Sequence, residues 1–337
     1  MIKKLQHIPI LNFATQRNFT FKNLTLSYQV FGCPLGTAPI VLVNHALTGN
    51  SEVTGKNGWW NALIGEEKTI NTQHFTILAF NIPGNGFDGQ LINNYKKITT
   101  KEIAKLFLMG LSHLNITELH SIIGGSLGGA IAWEMAVLQP NITQHLIPIA
   151  CDWKASDWII ANSLVQDQIL NNSKNPVHDA RLHAMLCYRT PASFKARFNR
   201  SINNNLLVFN TESWLLHHGE KLQKRFQLAA YKLMNHLLKT IDASSGSNVP
   251  FKVLQTINAN ICMVGINTDL FFTATENIET QKKLSKHHNN VSYHEIDSIH
   301  GHDAFLIEYK QLEQIIAPIF TKNNIKINLK NQLVAPL

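Results

Sequence analysis

The sequence predicts an α/β fold, a mostly parallel central sheet flanked by helices and interrupted by an inserted helical segment. Short β-branched runs alternate with longer segments of helical periodicity, the signature of βαβ units. The apolar run Ile40-Val-Leu-Val43 is followed at once by a polar stretch, as where a buried strand delivers a loop to the carboxyl edge of a parallel sheet. From about Asp152 to Val249 the alternation stops and long stretches read as amphipathic helix.

In chain order, the first strands expected are Leu24–Val30, Ile40–His45 and Phe75–Asn81. Helix Lys101–Leu114 leads to strand His120–Gly124, whose centre is the apolar Ser121-Ile-Ile123, and an apolar-periodic helix Leu127–Gln139 leads to strand His145–Ala150. The insertion follows, with Leu206–Phe209 as its one strand-like run, and the turn-rich segment Asp242 to Pro250 closes it. Strand Asn260–Gly265 runs into a polar turn, helix Thr275–His287 comes next, and strand Val291–Ile296 leads to an apolar-faced helix Asp303–Ile319. The expected organisation is a core of 1–151 and 250–321, a helical lid of 152–249 and a loosely held polar tail, Lys322–Leu337.

Composition narrows the function classes. With 337 residues, 45% hydrophobic and 15% charged, the chain has material for a large core and is not of disordered type. The N-terminal MIKKLQHIPILNF is interrupted by Pro9 and Asn12 and does not read as a signal peptide, and no apolar run approaches the roughly 20 residues of a membrane span. The expectation is a soluble cytoplasmic protein with no membrane association. Cys33, Cys151, Cys187 and Cys262 lie far apart, which suggests neither a disulfide framework nor a zinc cluster. The charge of +8 is scattered, so no nucleic-acid partner is expected, although a mildly basic surface suits an anionic substrate. None of the sixteen histidines stands in a two-ligand helical spacing, and no metal is expected. Gly84-Asn-Gly86-Phe-Asp-Gly89 matches a dinucleotide fingerprint, but no apolar helix opens from it, and it reads as a loop near the site.

The chemistry begins at Gly124-Gly125-Ser126-Leu127-Gly128-Gly129, a G-x-S-x-G match between an apolar strand and an apolar helix. A serine held in a strained strand-to-helix turn needs neighbours without side chains, and the helix start favours developing negative charge. The context matches the nucleophile elbow of α/β-hydrolases, with a structural glycine turn as the rival reading of the pentapeptide alone; in that elbow's fold the triad runs Ser, acid, His along the chain. Asp269 lies where the acid belongs, at the end of a strand, with Asp297 and Asp303 as rivals. His302 is preferred as the base over His300, because it directly precedes the apolar residues Ala304, Phe305 and Ile307. An oxyanion hole would take one backbone N–H from Leu127 and one from the loop Asn44-His-Ala-Leu-Thr-Gly49, with Leu47 the best candidate; that loop equally reads as a turn before the next element.

Several blocks together resemble the homoserine O-acetyltransferase family of the α/β-hydrolase superfamily: Asn44–Gly49, Gly58-Trp-Trp60 with Leu63-Ile-Gly65, Gly124–Gly129, the insertion, Asp269-Leu-Phe-Phe272 and Gly301-His-Asp-Ala-Phe-Leu306. The resemblance implies a ping-pong transfer of an acetyl group from acetyl-CoA, a co-substrate and not a resident cofactor, to the hydroxyl of L-homoserine, with Ser126, Asp269 and His302 as triad. It also implies that Asp303 meets the substrate amino group, that Arg181 holds its carboxylate, that Tyr188 lines the site, and that the chain forms a homodimer through the lid, with the stripe around Trp214, Leu215 and Leu216 a candidate contact. The chain departs from the family at Ile82-Pro-Gly-Asn-Gly-Phe87, where a Leu-Gly-Gly-Cys type loop is usual, and at Arg225-Phe226-Gln227, where Arg-Phe-Asp is usual.

Overall fold

The computed structural model describes residues 4–288 and 290–321, and the expected tail 322–337 lies outside them. Eight strands form the central sheet: β1 (Gln6–Thr15), β2 (Phe19–Gly32), β3 (Ile40–Asn44), β4 (Thr76–Phe80), β5 (Leu119–Gly125), β6 (Thr143–Ile149), β7 (Asn260–Ile266) and β8 (Val291–Ile296). Their spatial order is β1-β2-β4-β3-β5-β6-β7-β8; the pairings β1–β2 and β2–β4 are antiparallel, and all the others, from β4–β3 to β7–β8, are parallel. The order reverses around β3, and the register Val43↔Ile123 and Asn44↔Gly124 brings the ends of β3 and β5 side by side. Every residue of β3, β4 and β5 is buried, which is why these strands read as unbroken apolar runs and not as alternations.

Two elements correct the sequence reading. The strand expected over Leu24–Val30 is the middle of the 14-residue β2, and it is paired with β1, which was not expected at all. Pro9 made β1 hard to see, yet β1 is an edge strand, where a missing N–H costs no ladder bond. The helix expected over Asp303–Ile319 is in three pieces: a 3-10 turn Gly301–Leu306, helix α10 (Tyr309–Ile316) and a 3-10 turn Ala317–Phe320. Ile307 leaves helical geometry at φ −125°, and the Glu308 carboxylate turns back to accept the Ser298 hydroxyl at 2.8 Å, so the chain breaks there despite its continuous apolar face.

Helices α1 (Thr100–His113) and α2 (Leu127–Leu138) cover one face of the sheet. Trp60, Phe75, Phe305 and Phe320 fill the other. After β6 come α3 (Asp157–Asn172), α4 (Pro176–Tyr188), α5 (Pro191–Phe198), α6 (Asn210–Gln223) and α7 (Leu228–Leu238), then the short α8 (Pro250–Leu254) and α9 (Ala274–Leu284). Between α5 and α6 the strand-like run is only a two-residue pairing of Val208–Phe209 with Ile202–Asn203. Helices α3, α4, α6 and α7 pack on one another, and α4 also packs on the 3-10 turn that carries His302, which joins the inserted helices to the carboxyl edge.

Candidate active site

Ser126 stands between β5 and α2 with φ 55° and ψ −126°, a conformation that costs a non-glycine residue about 1–3 kcal/mol. Its N–H donates to Ile149 O at 2.8 Å, and its carbonyl accepts from Gly129 and Ala130 to start α2. The turn is tight enough that a Cβ on Gly128 would stand 2.3 Å from Asn44 O, and one on Gly124 would stand 2.5 Å from the Gly128 carbonyl carbon. Those two glycines are therefore required by sterics, and the G-x-S-x-G spacing follows from them.

Ser126, Asp269 and His302 come together, each at most 5% exposed. His302 Nε2 lies 2.9 Å from Ser126 Oγ, and Nδ1 lies 2.7 Å from Asp269 Oδ2. An ionised carboxylate can only accept, so Nδ1 carries the proton and Nε2 is free to take one from the serine. Asp269 is itself fixed, its Oδ1 accepting the N–H groups of Phe271 and Phe272 at 2.7 and 3.0 Å. Burial pulls the imidazole pKa down, but the charge and hydrogen bond of Asp269, helped by Asp303, outweigh it and hold His302 above the usual histidine value. Phe272 stacks on the ring at 5.8 Å between centroids, and Tyr188, Phe271 and Phe305 pack around it. His300 faces away, its Nδ1 bonded to Ser193 Oγ at 3.0 Å, and Asp297 accepts from Asn267. Such a constellation can activate a hydroxyl for attack on an acyl carbon.

The backbone N–H groups of Leu47 and Leu127 donate to no acceptor among the described residues, and both residues are buried. The loop carrying Leu47 is held from beneath by His45, which is 1% exposed. His45 Nε2 accepts the Ile82 N–H at 3.0 Å, so Nδ1 bears the hydrogen and donates to Ala46 O at 2.8 Å. Burial drives this imidazole down to about 4, against the Ala46 hydrogen bond, so it stays neutral. Asn85 extends the network to Asn81 and Ser51, which ties the loop after β4 to the loop after β3. Arg225 Nη1 donates to Thr48 O at 3.0 Å from above. The two blocks that depart from the family meet nearby, because Gly86 faces the Gln227 side chain at the N-terminal end of α7.

On the lid side, Tyr188 packs on His302, and Arg181 lies over the Tyr188 ring at 5.7 Å. Asp303 is in contact with Arg189, Nη1 to Oδ2 being 3.7 Å. Burial raises the Asp303 carboxyl above its usual range, opposed by the charges of Arg181, His302 and Arg189. A cavity of about 10 Å³, room for a single water, separates Leu47, Tyr188 and Phe271 from Gln166, His183 and Tyr231 of the inserted helices. Its Gln166 Oε1 and Ser163 Oγ have no hydrogen-bond partner among the described residues. His45, Arg189 and Tyr231 were missed from sequence; only the position of Arg189 directly after Tyr188 hinted at it. Among the described residues no group of three His, Cys, Asp or Glu is placed to hold a metal ion, and no helix is long and apolar enough to cross a membrane.

A family model for the alpha/beta hydrolase fold matches residues 39–168. Among curated proteins, a homoserine O-acetyltransferase of Cyclobacterium marinum is 31% identical over 308 residues, covering 85% of this chain and 86% of its own. Among solved structures, homoserine O-acetyltransferase from Bacillus anthracis superposes with a TM-score of 0.85 at 16% identity, covering 96% of this chain and 98% of its own. Esterase E22 superposes with a TM-score of 0.84, also at 16% identity, covering 95% and 100%, so these two likenesses speak for the fold alone. On the strength of the sequence relationship over most of its length, the chain belongs to the homoserine O-acetyltransferase family, transferase enzymes on the α/β-hydrolase fold.

Proposed function

We propose that the protein transfers an acetyl group from acetyl-CoA to the hydroxyl of L-homoserine through an acyl-Ser126 intermediate. The observation that carries this reading is the hydrogen-bonded line Ser126–His302–Asp269, buried beside the charged pair Arg189–Asp303. In the first half-reaction His302 Nε2 takes the Ser126 proton as Oγ bonds to the thioester carbon. The negative oxygen is received by the N–H groups of Leu47 and Leu127. The C–S bond then breaks, and the departing thiolate takes the proton from His302. In the second half the homoserine hydroxyl gives its proton to His302 and attacks the acyl carbon, and the Oγ–C bond breaks with the proton returned to Ser126. Arg181 receives the substrate carboxylate and Asp303 its amino group; both sit on the lid side of His302, where a bidentate guanidinium and an acid suit those groups. Exposed apolar residues on α3, among them Trp158, Leu164 and Val165, support association of two copies through the lid, to be checked by mass in solution. Trp214, in contrast, is engaged with Phe194 and Phe198 of its own chain. Free cysteines at four scattered positions fit a reducing cytoplasm.

The test crosses acetyl-CoA and succinyl-CoA with homoserine, serine and water. The expected product is O-acetylhomoserine, with CoA release dependent on homoserine; release at the same rate without homoserine would make the protein a hydrolase. Ser126→Ala should lose about 10⁴-fold or more of the activity.

A further inference from the structure

We propose that the lid carries an anion cradle for the phosphorylated nucleotide end of the acyl donor, formed by Arg189, Arg197 and His218 around the indole of Trp214. The proposal rests on the reading of a CoA thioester as donor. Trp214, on α6, is clamped by Phe194 and Phe198 of α5, each 5.6 Å away between centroids. Around it stand the Arg189 guanidinium at 5.9 Å, the Arg197 guanidinium at 5.4 Å and the His218 ring at 4.3 Å. Arg181 and Lys221 lie close enough to join Arg197 in lowering the His218 pKa, after burial, to about 4.

Asp303 is the one acid paired with this gathering, and one carboxylate does not balance three guanidinium groups. Among the described residues neither Arg181 nor Arg197 forms a salt bridge, and Arg189 has only Asp303, at 3.7 Å. Scattered solvated charge would explain exposed lysines of a chain with net charge +8, but not an arginine whose side chain is 9% exposed among further cations. Burying like charges together is unfavourable unless an anion completes the set. Arg189 links the cluster to Asp303, the chain neighbour of His302, so the cradle begins at the rim of the acyl-transfer site and runs outward to the exposed Arg197. A donor whose thioester is at Ser126 and whose phosphates lie at the far end of a flexible arm has this polarity. Guanidinium groups bind phosphate bidentately and stack on purines.

The experiment compares acetyl-CoA with S-acetylpantetheine, which has the same thioester and lacks the nucleotide, in wild type and Arg197→Gln. A ratio of the two kcat/KM values within one preparation does not depend on its folded fraction. That ratio should fall about tenfold in the variant, the loss of one charge-assisted phosphate contact. Adenosine 3′,5′-bisphosphate should compete with acetyl-CoA in the wild type and about tenfold more weakly in the variant. An unchanged ratio, with acetyl-CoA still acylating Ser126, would overturn the cradle alone. Acylation by p-nitrophenyl acetate but by neither thioester would overturn the donor reading, and the cradle with it.

Discussion

Replacing Asp269 by asparagine separates the electrostatic role of the acid from its shape. Oδ1 accepts two N–H groups, from Phe271 and Phe272, while Oδ2 faces His302 Nδ1 at 2.7 Å. An amide has one oxygen and one NH₂ for these two jobs. Turning the NH₂ toward Phe271 and Phe272 would set donor against two buried donors, each a loss of about 1–3 kcal/mol, so the oxygen stays there and the NH₂ faces Nδ1. Nδ1 must then accept, the ring hydrogen moves to Nε2, and Nε2 points that hydrogen at Ser126 Oγ 2.9 Å away. The base is lost while the geometry is kept. The expected fall in kcat is about 10⁴-fold, roughly 5 kcal/mol of barrier, with the melting temperature nearly unchanged. The assay is CoA release at saturating acetyl-CoA and homoserine, repeated across pH. In the wild type, His302 is useful only when neutral, and its pKa is raised, so activity is lost as pH falls through a value above the usual 6.5 or so. In the variant burial acts without the carboxylate, and the residual activity should lose that acid limb toward lower pH. A kcat within tenfold of wild type, or a limb that does not move, would refute the assignment of Asp269.

Three further outcomes follow from the same geometry. His45→Ala should lower kcat about 10–100-fold with little change in KM for homoserine, because the loop carrying Leu47 loses its anchor on Ile82; His45→Gln, whose amide oxygen reaches the Ile82 N–H, should recover part of the loss in the same assay. Ser126→Gly should be inactive yet melt about one degree higher by calorimetry, since relief of the strain at φ 55° exceeds the entropy cost of glycine by about 1 kcal/mol. Glu134 is buried with Oε2 unpartnered and its carboxyl pushed up to about 8, so folding favours its protonated form and stability is lost as pH rises from the ordinary carboxylate range through 8. Glu134→Gln keeps the Thr100 contact and removes the titration; its melting temperature relative to wild type should climb between pH 5 and 8, and a constant difference would contradict the burial argument.

The parts of the site that were legible in sequence are those that local backbone demands impose. Gly124 and Gly128 are written into the chain because any side chain would strike Gly128 or Asn44, and Asp269 and His302 follow strands β7 and β8 at the carboxyl edge. Contacts made between distant segments left no such trace. His45 reaches Ile82 and Arg189 reaches Asp303 across folds of the chain that no periodicity records. The break at Ile307 was hidden for a related reason: the apolar face continues past it, and only the Ser298–Glu308 hydrogen bond marks the turn.

The sheet does not decide between transfer and hydrolysis, since an esterase and a homoserine O-acetyltransferase superpose on it equally well. The difference has to come from what faces His302 across the gap. A hydrolase needs only water as acceptor, and Arg189 and Asp303 would then be buried at a desolvation cost with nothing gained in return. An amino-acid acceptor changes the balance, because its ammonium gives Asp303 a close charge-assisted partner in place of the loose 3.7 Å contact and helps hold the hydroxyl against the acyl carbon. On this proposal acceptor binding is shared between Arg181 of the insertion and Asp303 beside the base, and the triad is indifferent to which acyl acceptor it serves.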